Sequence, residues 1–280
     1  MRGWSPVARV TRAIKQRPRL HRGARAARSL VGRFLPPRRY SDLPGRIHPN
    51  DFMFDDPSPE GIARYRARAL NVIGLIESSL TAAGTSFDEP ARWLDFGCGY
   101  GRVLRFLCER VPPERVWACD VERRGVDFCR SEFGVHGTYS STDLEHLSLG
   151  TFDFVFAISV LSHLDERNSR AFVRVLGGAL QPGGILLFTT HGRWSLEHPE
   201  TYGEEYVRRG REIADAVKAS GACFLRYPYA EGDDYGMAWH SKQHVESLVR
   251  ERFGDAFELL MFEPHGLDGH QDVYAFRRRE

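Results

Sequence analysis

The chain has 280 residues, of which 42% are hydrophobic and 27% charged, and its formal net charge is +2. This composition supplies a hydrophobic core and excludes a disordered or fibrous chain, and no apolar run approaches the roughly 18 residues that span a bilayer. The five cysteines are odd in number and include no C-x-x-C pair. A disulfide framework and a zinc site are therefore not indicated, and we predict a reduced, cytoplasmic protein without a metal.

The charge is distributed unevenly along the chain. Residues 1–40 carry twelve Lys and Arg side chains and no Asp or Glu, whereas the other 240 residues hold 27 basic and 37 acidic side chains. Pro18, Pro36 and Pro37 interrupt any long helix in this stretch, which favours a disordered basic tail. Contact with an anionic membrane surface, nucleic-acid binding and an organelle transit peptide are the alternatives. We assign residues 1–50 to a flexible arm and residues 51–280 to a folded domain.

The folded domain is predicted to begin with a long helix. Ser58, Pro59 and Glu60 have the sequence of a helix start, with a capping serine and a proline at the first helical position. Gly84 is predicted to end the helix. Apolar residues follow the start at spacings of three and four, so this helix should cover a sheet: Ile62, Tyr65, Ala69, Ile73, Ile76 and Leu80.

A glycine-rich turn follows the next predicted strand. The strand runs from Arg92 to Phe96 and ends in Gly97-Cys98-Gly99-Tyr100-Gly101, after which an amphipathic stretch begins. Glycines let a ligand approach the backbone closely, and the N–H groups of such a turn present a partly positive surface. Arg102 stands where a further glycine would be needed for a dinucleotide fingerprint, and the phosphate-binding P-loop pattern is also absent.

The run from Leu94 to Arg102 resembles the first motif of class I S-adenosylmethionine-dependent methyltransferases. Four further segments follow in that family's order: a strand from Arg115 to Cys119 that Asp120 closes, Asp143 to Leu147, a strand from Phe152 to Val160 followed by Leu161 to Leu164, and Arg174 to Gly184 with a strand from Ile185 to Thr189. The resemblance implies an α/β fold with a Rossmann-like, doubly wound, seven-stranded sheet. The sheet would be mostly parallel, with an antiparallel last strand and helices on both faces.

The resemblance also implies S-adenosyl-L-methionine as cofactor. Asp120 would accept from the ribose hydroxyls, and Asp143 would contact the adenine amino group. In such sheets the ligand lies at the carboxyl ends of the strands, and the candidate cofactor-binding residues follow those ends: Asp95, Gly97, Cys98, Gly99, Gly101, Asp120, Val121, Asp143, Leu144, Ile158 and Ser159.

Two histidines are the candidate catalytic residues. Methyl transfer to an alcohol requires alignment with the methyl group and removal of a proton, for which histidine is the usual base near neutral pH. His163 and His191 both follow predicted strands at the cofactor edge. A role in packing or in orienting a loop is the alternative for each of them.

The alternation of strands and helices stops between residues 192 and 241. We predict a helix from Glu204 to Ala219, loops at 227–229 and 231–236, and a helix that Ser241 begins. The segment is rich in Trp and Tyr, so we interpret it as a lid over the acceptor. Two strands, Phe257 to Phe262 and Asp272 to Phe276, are predicted to complete the sheet as an antiparallel pair.

The sequence favours methyl transfer to a small-molecule acceptor, through an oxygen of a sugar, glycan or secondary metabolite. A nucleic-acid methyltransferase that uses the basic arm is one alternative. Against it, Ile158-Ser159-Val160 differs from the Asn/Asp-Pro-Pro-aromatic loop of amino-directed base methyltransferases. A non-catalytic cofactor-binding protein is the other alternative, although its glycine loop and Asp120 would be expected to be damaged.

Overall fold

A computed structural model describes residues 35–228 and 235–280 of the chain. Most of the predicted arm and most of the predicted loop at 231–236 lie outside these residues, as does Tyr229. The helices are α1 (Pro59–Ala82), α2 (Leu104–Leu107), α3 (Arg123–Phe133), α4 (Glu166–Gly178), α5 (Arg193–Glu197), α6 (Glu204–Ser220) and α7 (Lys242–Phe253). The strands are β1 (Arg38–Arg39), β2 (Arg46–Ile47), β3 (Trp93–Phe96), β4 (Val116–Asp120), β5 (His136–Tyr139), β6 (Phe152–Ala157), β7 (Leu180–His191), β8 (Ala222–Arg226), β9 (Gly236–His240), β10 (Phe257–Leu267) and β11 (Gln271–Arg278).

The main sheet has the strand order β10-β11-β7-β6-β3-β4-β5. The strands from β7 to β5 are parallel, and β11 is antiparallel to both of its neighbours. The order reverses between β3 and β6, which is the position where doubly wound sheets bind ligands. The predicted fold is therefore confirmed, including the antiparallel last strand and the β10–β11 pair.

Helices cover both faces of the sheet. On one face α1, α2 and α3 pack their apolar side chains against it, around the fully buried Trp93 and Phe154. On the other face α4 and α7 do so, around Phe172 and Phe188. Each face of a parallel sheet buries apolar side chains, which is why the strands themselves are almost entirely apolar.

Helix α1 begins where the sequence predicts. The Ser58 hydroxyl accepts a hydrogen bond from the Gly61 N–H at 3.1 Å, and Pro59 is the first helical residue. Gly84 follows the end of the helix with a φ of +73°. Five of the six predicted core-facing residues are buried, while Ile62 is half-buried against the same core.

The chain N-terminal to residue 51 contributes to the folded structure from residue 35 onward. Strands β1 and β2 form a short antiparallel hairpin, and Leu43 and Ile47 are buried in the core below it. The buried guanidinium of Arg105 donates to the Pro44 carbonyl oxygen at 2.6 Å. The hairpin is thereby attached to the domain.

Two local predictions are wrong. The strand predicted from Ile185 to Thr189 is longer than expected, because β7 begins at Leu180 and includes Pro182–Gly184, where Gly183 has a φ of +79° and the pairing with β6 shifts register. Gly236 does not belong to a loop but begins β9, which pairs with β8 as a hairpin. This hairpin also joins the main sheet, through one parallel pairing of Trp239 with His191.

No helix in the described part of the chain is long and apolar enough to cross a membrane.

Candidate active site

The glycine loop crosses the carboxyl end of β3, and each of its three glycines has a positive φ. The values are +88° for Gly97, +53° for Gly99 and +76° for Gly101. A Cβ at Gly97 would lie 2.5 Å from a methyl group of Val160, and one at Gly101 would lie 2.5 Å from the Phe133 ring. A Cβ at Gly99 would meet no atom within 4 Å. Two of the glycines are therefore required by packing, and Gly99 is the one that borders open space.

The backbone N–H groups of this loop are used within the protein. Those of Gly97 and Cys98 donate to the Cys119 carbonyl oxygen at 2.8 and 3.1 Å, and that of Gly101 donates to the Cys98 carbonyl oxygen. The Gly99 N–H donates to Oδ2 of Asp120 at 2.7 Å. The expectation of a partly positive surface made by these four groups is therefore wrong. The loop offers close approach to its backbone, and the bonds fix its shape.

We expect the two kinds of glycine to respond differently to alanine. Gly101→Ala should lower the free energy of unfolding by about 2–4 kcal/mol, because it adds a clash to an unfavourable φ. Gly99→Ala should cost only about 1 kcal/mol of stability and should abolish binding at the open side of the loop. Denaturant unfolding and titration with S-adenosylmethionine measure the two effects.

Gly74→Ala is the matched control for these substitutions. Gly74 lies inside α1, and a Cβ there would meet no atom within 4 Å. It should leave binding unchanged and raise stability by about 0.5–1 kcal/mol. Equal effects of Gly99→Ala and Gly101→Ala on both measurements would contradict the distinction.

Asp120 ends β4 and faces the glycine loop. Its Oδ2 accepts from the Gly99 N–H, and its Oδ1 accepts from the Glu122 N–H at 2.8 Å. Burial raises the pKa of this carboxyl, and the backbone donors oppose the shift. A carboxylate has about four acceptor positions, so Asp120 keeps capacity for a hydroxyl ligand. Asp95 is buried behind the loop, where burial and then the charge of Asp120 raise its pKa well above the usual range.

The remaining candidate cofactor residues lie at the ends of the neighbouring strands. Val121 follows β4 and is 52% exposed, although it is apolar. Asp143 is exposed and accepts from the Glu145 N–H at 3.0 Å, whereas the next residue, Leu144, is buried. Ile158 is half-buried just after β6. The structure thus brings the predicted residues to the carboxyl edge of β3, β4 and β6 and to the segment after β5.

Ser159 has a strained backbone. Its φ of +58° lies in the left-handed region, which is unfavourable for a residue other than glycine. Its N–H donates to Oγ1 of Thr189 at 2.8 Å, and its hydroxyl lies 3.2 Å from Oε1 of Gln271. Residues from two neighbouring strands, β7 and β11, therefore hold this conformation just after the end of β6.

The two candidate catalytic histidines are oriented by the same strand of the insertion. Nδ1 of His163 lies 2.9 Å from the Gly236 carbonyl oxygen, and Nδ1 of His191 lies 3.0 Å from that of Ala238. Because a carbonyl oxygen only accepts, each Nδ1 carries the proton and each Nε2 has the lone pair when the ring is neutral. The two rings meet edge-on with their centroids 6.4 Å apart.

Burial keeps both imidazoles neutral. It lowers the pKa of His163, with an opposing effect from the bond to Gly236. It lowers the pKa of His191 well below the usual value, and the neighbouring His163 adds to that shift. His191 is almost fully buried, whereas His163 is only half-buried. A neutral, partly accessible imidazole can accept a proton from a substrate.

Aromatic residues of the insertion enclose this edge. The Tyr227 hydroxyl oxygen lies 3.1 Å from Nδ1 of His163, and the Tyr202 ring lies edge-on to the His191 ring at 4.9 Å. Trp239 is buried in a small apolar cluster that belongs to the insertion. Within residues 35–228 and 235–280, no group of three or more His, Cys, Asp or Glu side chains is arranged to hold a metal ion.

Comparisons with known proteins agree with this geometry. Residues 94–184 match the family described as "Methyltransferase domain". A tRNA N(3)-methylcytidine methyltransferase of Drosophila melanogaster is 24% identical over 182 residues, which cover 61% of this chain and 54% of the relative. A ubiquinone biosynthesis O-methyltransferase of Methylocella silvestris is 34% identical over 110 residues, which cover 38% and 41%. The matched segments therefore span about half the length of these relatives.

A solved structure shares the fold. The crystal structure of the PH0226 protein from Pyrococcus horikoshii superposes with a TM-score of 0.53 at 19% identity, covering 81% of this chain and 95% of that one. Fold, loop and family match together show that residues 94–184 form a class I S-adenosylmethionine-dependent methyltransferase domain. Its cofactor is S-adenosyl-L-methionine, and the residues present fit it. Gly99 leaves room for close approach, and Asp120 has acceptor capacity for the ribose diol.

Some of the site was not visible in the sequence. Gln271, Gly236 and Ala238 orient the histidines but belong to no motif. The abundance of Tyr and Trp in the insertion predicted a lid, but it did not indicate that Tyr227 contacts His163.

Proposed function

We propose that this protein transfers the methyl group of S-adenosylmethionine to a hydroxyl oxygen of a small molecule, with His163 as the general base. The observation that carries the proposal is the state of His163. Its Nδ1 proton is committed to Gly236, while its Nε2 makes no hydrogen bond within the described residues. A half-buried imidazole with an available lone pair suits proton removal from an alcohol. His163 has both properties and follows the end of β6, at the carboxyl edge of the sheet.

Different residues would bind the cofactor, remove the proton and exclude water. The glycine loop and Asp120 would hold the cofactor, which supplies an electrophilic methyl group when bound. His163 would take the hydroxyl proton on Nε2 as the oxygen attacks, and the resulting positive charge would be stabilised by two acceptors at Nδ1, the Gly236 carbonyl and the Tyr227 hydroxyl. The insertion would exclude water from this exchange.

The relatives support a hydroxyl acceptor without naming it. The relative of 34% identity is an O-methyltransferase by name. The aromatic residues around His163 and His191 suit the faces of a sugar or a phenol. We therefore name sugars, glycans and phenolic metabolites as the acceptor class.

Binding and turnover test the proposal in sequence. We expect the wild-type protein to bind S-adenosylmethionine and its demethylated product in a calorimetric titration. A panel of sugars, phenols, carboxylic acids and total tRNA is then incubated with the methyl-labelled cofactor. Label in a sugar or phenol supports the proposal. Label confined to carboxylic acids or to tRNA, or a folded protein that binds neither cofactor form, overturns it.

Methylation of nucleic acid is the second candidate. It is favoured by the tRNA-modifying relative and by the twelve basic residues of the first forty. Removal of residues 1–34 leaves the packed β1–β2 hairpin in place. If RNA is the substrate, this truncation should reduce RNA binding strongly and should cause no other defect. If the substrate is small, turnover should be preserved.

The pH dependence of turnover should report His163. The base acts in its neutral form, and burial lowers its pKa below the ordinary value of 6.5. We therefore expect kcat/KM to rise with pH through an apparent pKa below 6.5 and to be constant from there to pH 8. Rate measurements between pH 4.5 and 8 check this, and an acid limb centred above pH 7 would contradict it.

A further inference from the structure

Gln271 is a buried amide at the first position of β11, on the far side of β7 from the insertion. It is 4% exposed and has three polar neighbours. Its Oε1 lies 2.7 Å from Oγ1 of Thr189 and 3.2 Å from Oγ of Ser159. Its Nε2 lies 3.4 Å from Nε2 of His191. An amide buried with partners on both ends is held in one orientation.

The direction of each hydrogen bond follows from the groups at the two ends of the series, the Ala238 carbonyl and the Ser159 N–H, because a carbonyl only accepts and an N–H only donates. His191 donates from Nδ1 to the Ala238 carbonyl, so its Nε2 must accept, and only the amide nitrogen of Gln271 can donate to it. The amide oxygen then accepts from Thr189. Because the Thr189 proton is directed to Gln271, its oxygen is the acceptor for the Ser159 N–H. One chain of hydrogen bonds thus runs in a single direction from the Ser159 backbone to the β8–β9 hairpin.

This chain ends at two places that matter for methyl transfer. One end holds the left-handed backbone of Ser159, where β6 terminates at the cofactor edge. The other end holds His191, whose ring lies edge-on to that of His163. A proton added to Nε2 of His191 would set two donors against each other. The amide would then have to rotate, so that its oxygen accepts from His191 and its nitrogen faces Thr189 and Ser159, which reverses the direction of the hydrogen bond to Thr189.

We infer that Gln271 is a positioning residue for the methyl-transfer site, which fixes Ser159 and His191 together through one amide. The inference rests on the proposed function for its catalytic meaning, but the hydrogen-bond chain can be measured without any substrate. Gln271 has no contact with the acceptor in this role. It acts through the backbone of Ser159 and the ring of His191.

Two substitutions separate the two ends of the chain. Gln271→Glu keeps an oxygen for Thr189 and Ser159 but removes the N–H donor to His191. Gln271→Met has a similar length and offers neither. The amide proton of Ser159 should exchange with solvent about tenfold faster in Gln271→Met and at nearly the wild-type rate in Gln271→Glu. Only Gln271→Met removes the acceptor of the Thr189 hydroxyl proton, and the oxygen of that hydroxyl is the acceptor for the Ser159 N–H. Gln243→Glu, on the exposed side of α7, is the control and should change nothing.

Nitrogen-15 NMR of labelled histidines measures the protonation of His191, at the other end of the hydrogen-bond chain. In the wild type, His191 should show a protonated Nδ1 and an unprotonated Nε2, and the Nε2 signal should move in both Gln271 variants. A wild-type His191 with its proton on Nε2 would overturn the inference, since Gln271 could not donate to it. Unchanged exchange at Ser159 in Gln271→Met would overturn it as well.

Turnover measurements test whether the hydrogen-bond chain contributes to methyl transfer. With S-adenosylmethionine and an acceptor from the panel, Gln271→Met should lower kcat on the order of tenfold to a hundredfold and should change the KM for S-adenosylmethionine by less than about threefold. Gln271→Glu should recover part of that loss, because it restores the support of Ser159. An effect on KM alone would contradict a positioning role. If the NMR results hold but the wild type binds no cofactor, the proposed function fails and the hydrogen-bond chain stands.

Discussion

Asp120→Ala is expected to weaken the binding of S-adenosylmethionine about tenfold to a hundredfold. The carboxylate would lose its bonds to the ribose hydroxyls, and charge-assisted hydrogen bonds contribute roughly 1.5–3 kcal/mol. The substitution also removes the acceptor for the Gly99 N–H, so the one loop residue that borders open space loses its fixed position. Calorimetric titration of the wild type and the variant with the cofactor and with its demethylated product measures the difference.

Asp255→Ala is the matched control. Asp255 is exposed and precedes β10, which starts at the amino edge of the sheet, opposite the site. Its loss should leave the affinity unchanged. Equal affinity of the wild type and a well-folded Asp120→Ala variant would show that the cofactor is held elsewhere.

His163→Asn is expected to lower kcat by about a hundredfold to ten-thousandfold, the usual contribution of a general base. The asparagine amide reaches the position of Nδ1, so it can still donate to the Gly236 carbonyl and keep the hairpin in place. What it lacks is the Nε2 lone pair. Binding of S-adenosylmethionine should therefore be unchanged while turnover with a sugar or phenol acceptor falls.

His136→Asn serves as the control for this experiment. His136 is exposed at the start of β5, on the opposite edge of the sheet, where its ring stacks on Trp117. Turnover should be the same as in the wild type. A His163→Asn variant whose kcat lies within threefold of the wild type would exclude His163 as the base and leave only an orienting role.

The helix starts and the central strands could be predicted from the sequence, because both depend on residues close together in the chain. Ser58 caps α1 through the Gly61 N–H, and Ser241 caps α7 through the His244 N–H. Each rests on a side chain that bonds to a backbone group three residues later. The strands β3, β4 and β6 are short apolar runs between turn residues, and their positions also agree with the sequence.

The parts that sequence reasoning missed depend on contacts between distant residues. Strands β8 and β9 were not predicted from the sequence, and only Gly236 of them lay in a predicted loop. They are strands because each pairs with the other. Gly97 and Gly101 were predicted as cofactor-binding residues, and no sequence pattern indicated that Val160 and Phe133 also leave no room for a Cβ at these positions. The role of Gln271 follows from partners 80 and 112 residues away, for which no spacing rule exists.

Strand β9 accepts the Nδ1 protons of the two histidines on main-chain oxygens, those of Gly236 and Ala238. Main-chain groups are the same whatever the side chain, so substitutions in β9 keep these two acceptors, and with them the Nδ1 protons, in place. Under the proposed function, the orientation of the two imidazoles would depend on main-chain oxygens of β9 and the choice of acceptor on its side chains, so the two properties would be separable by substitution within five residues.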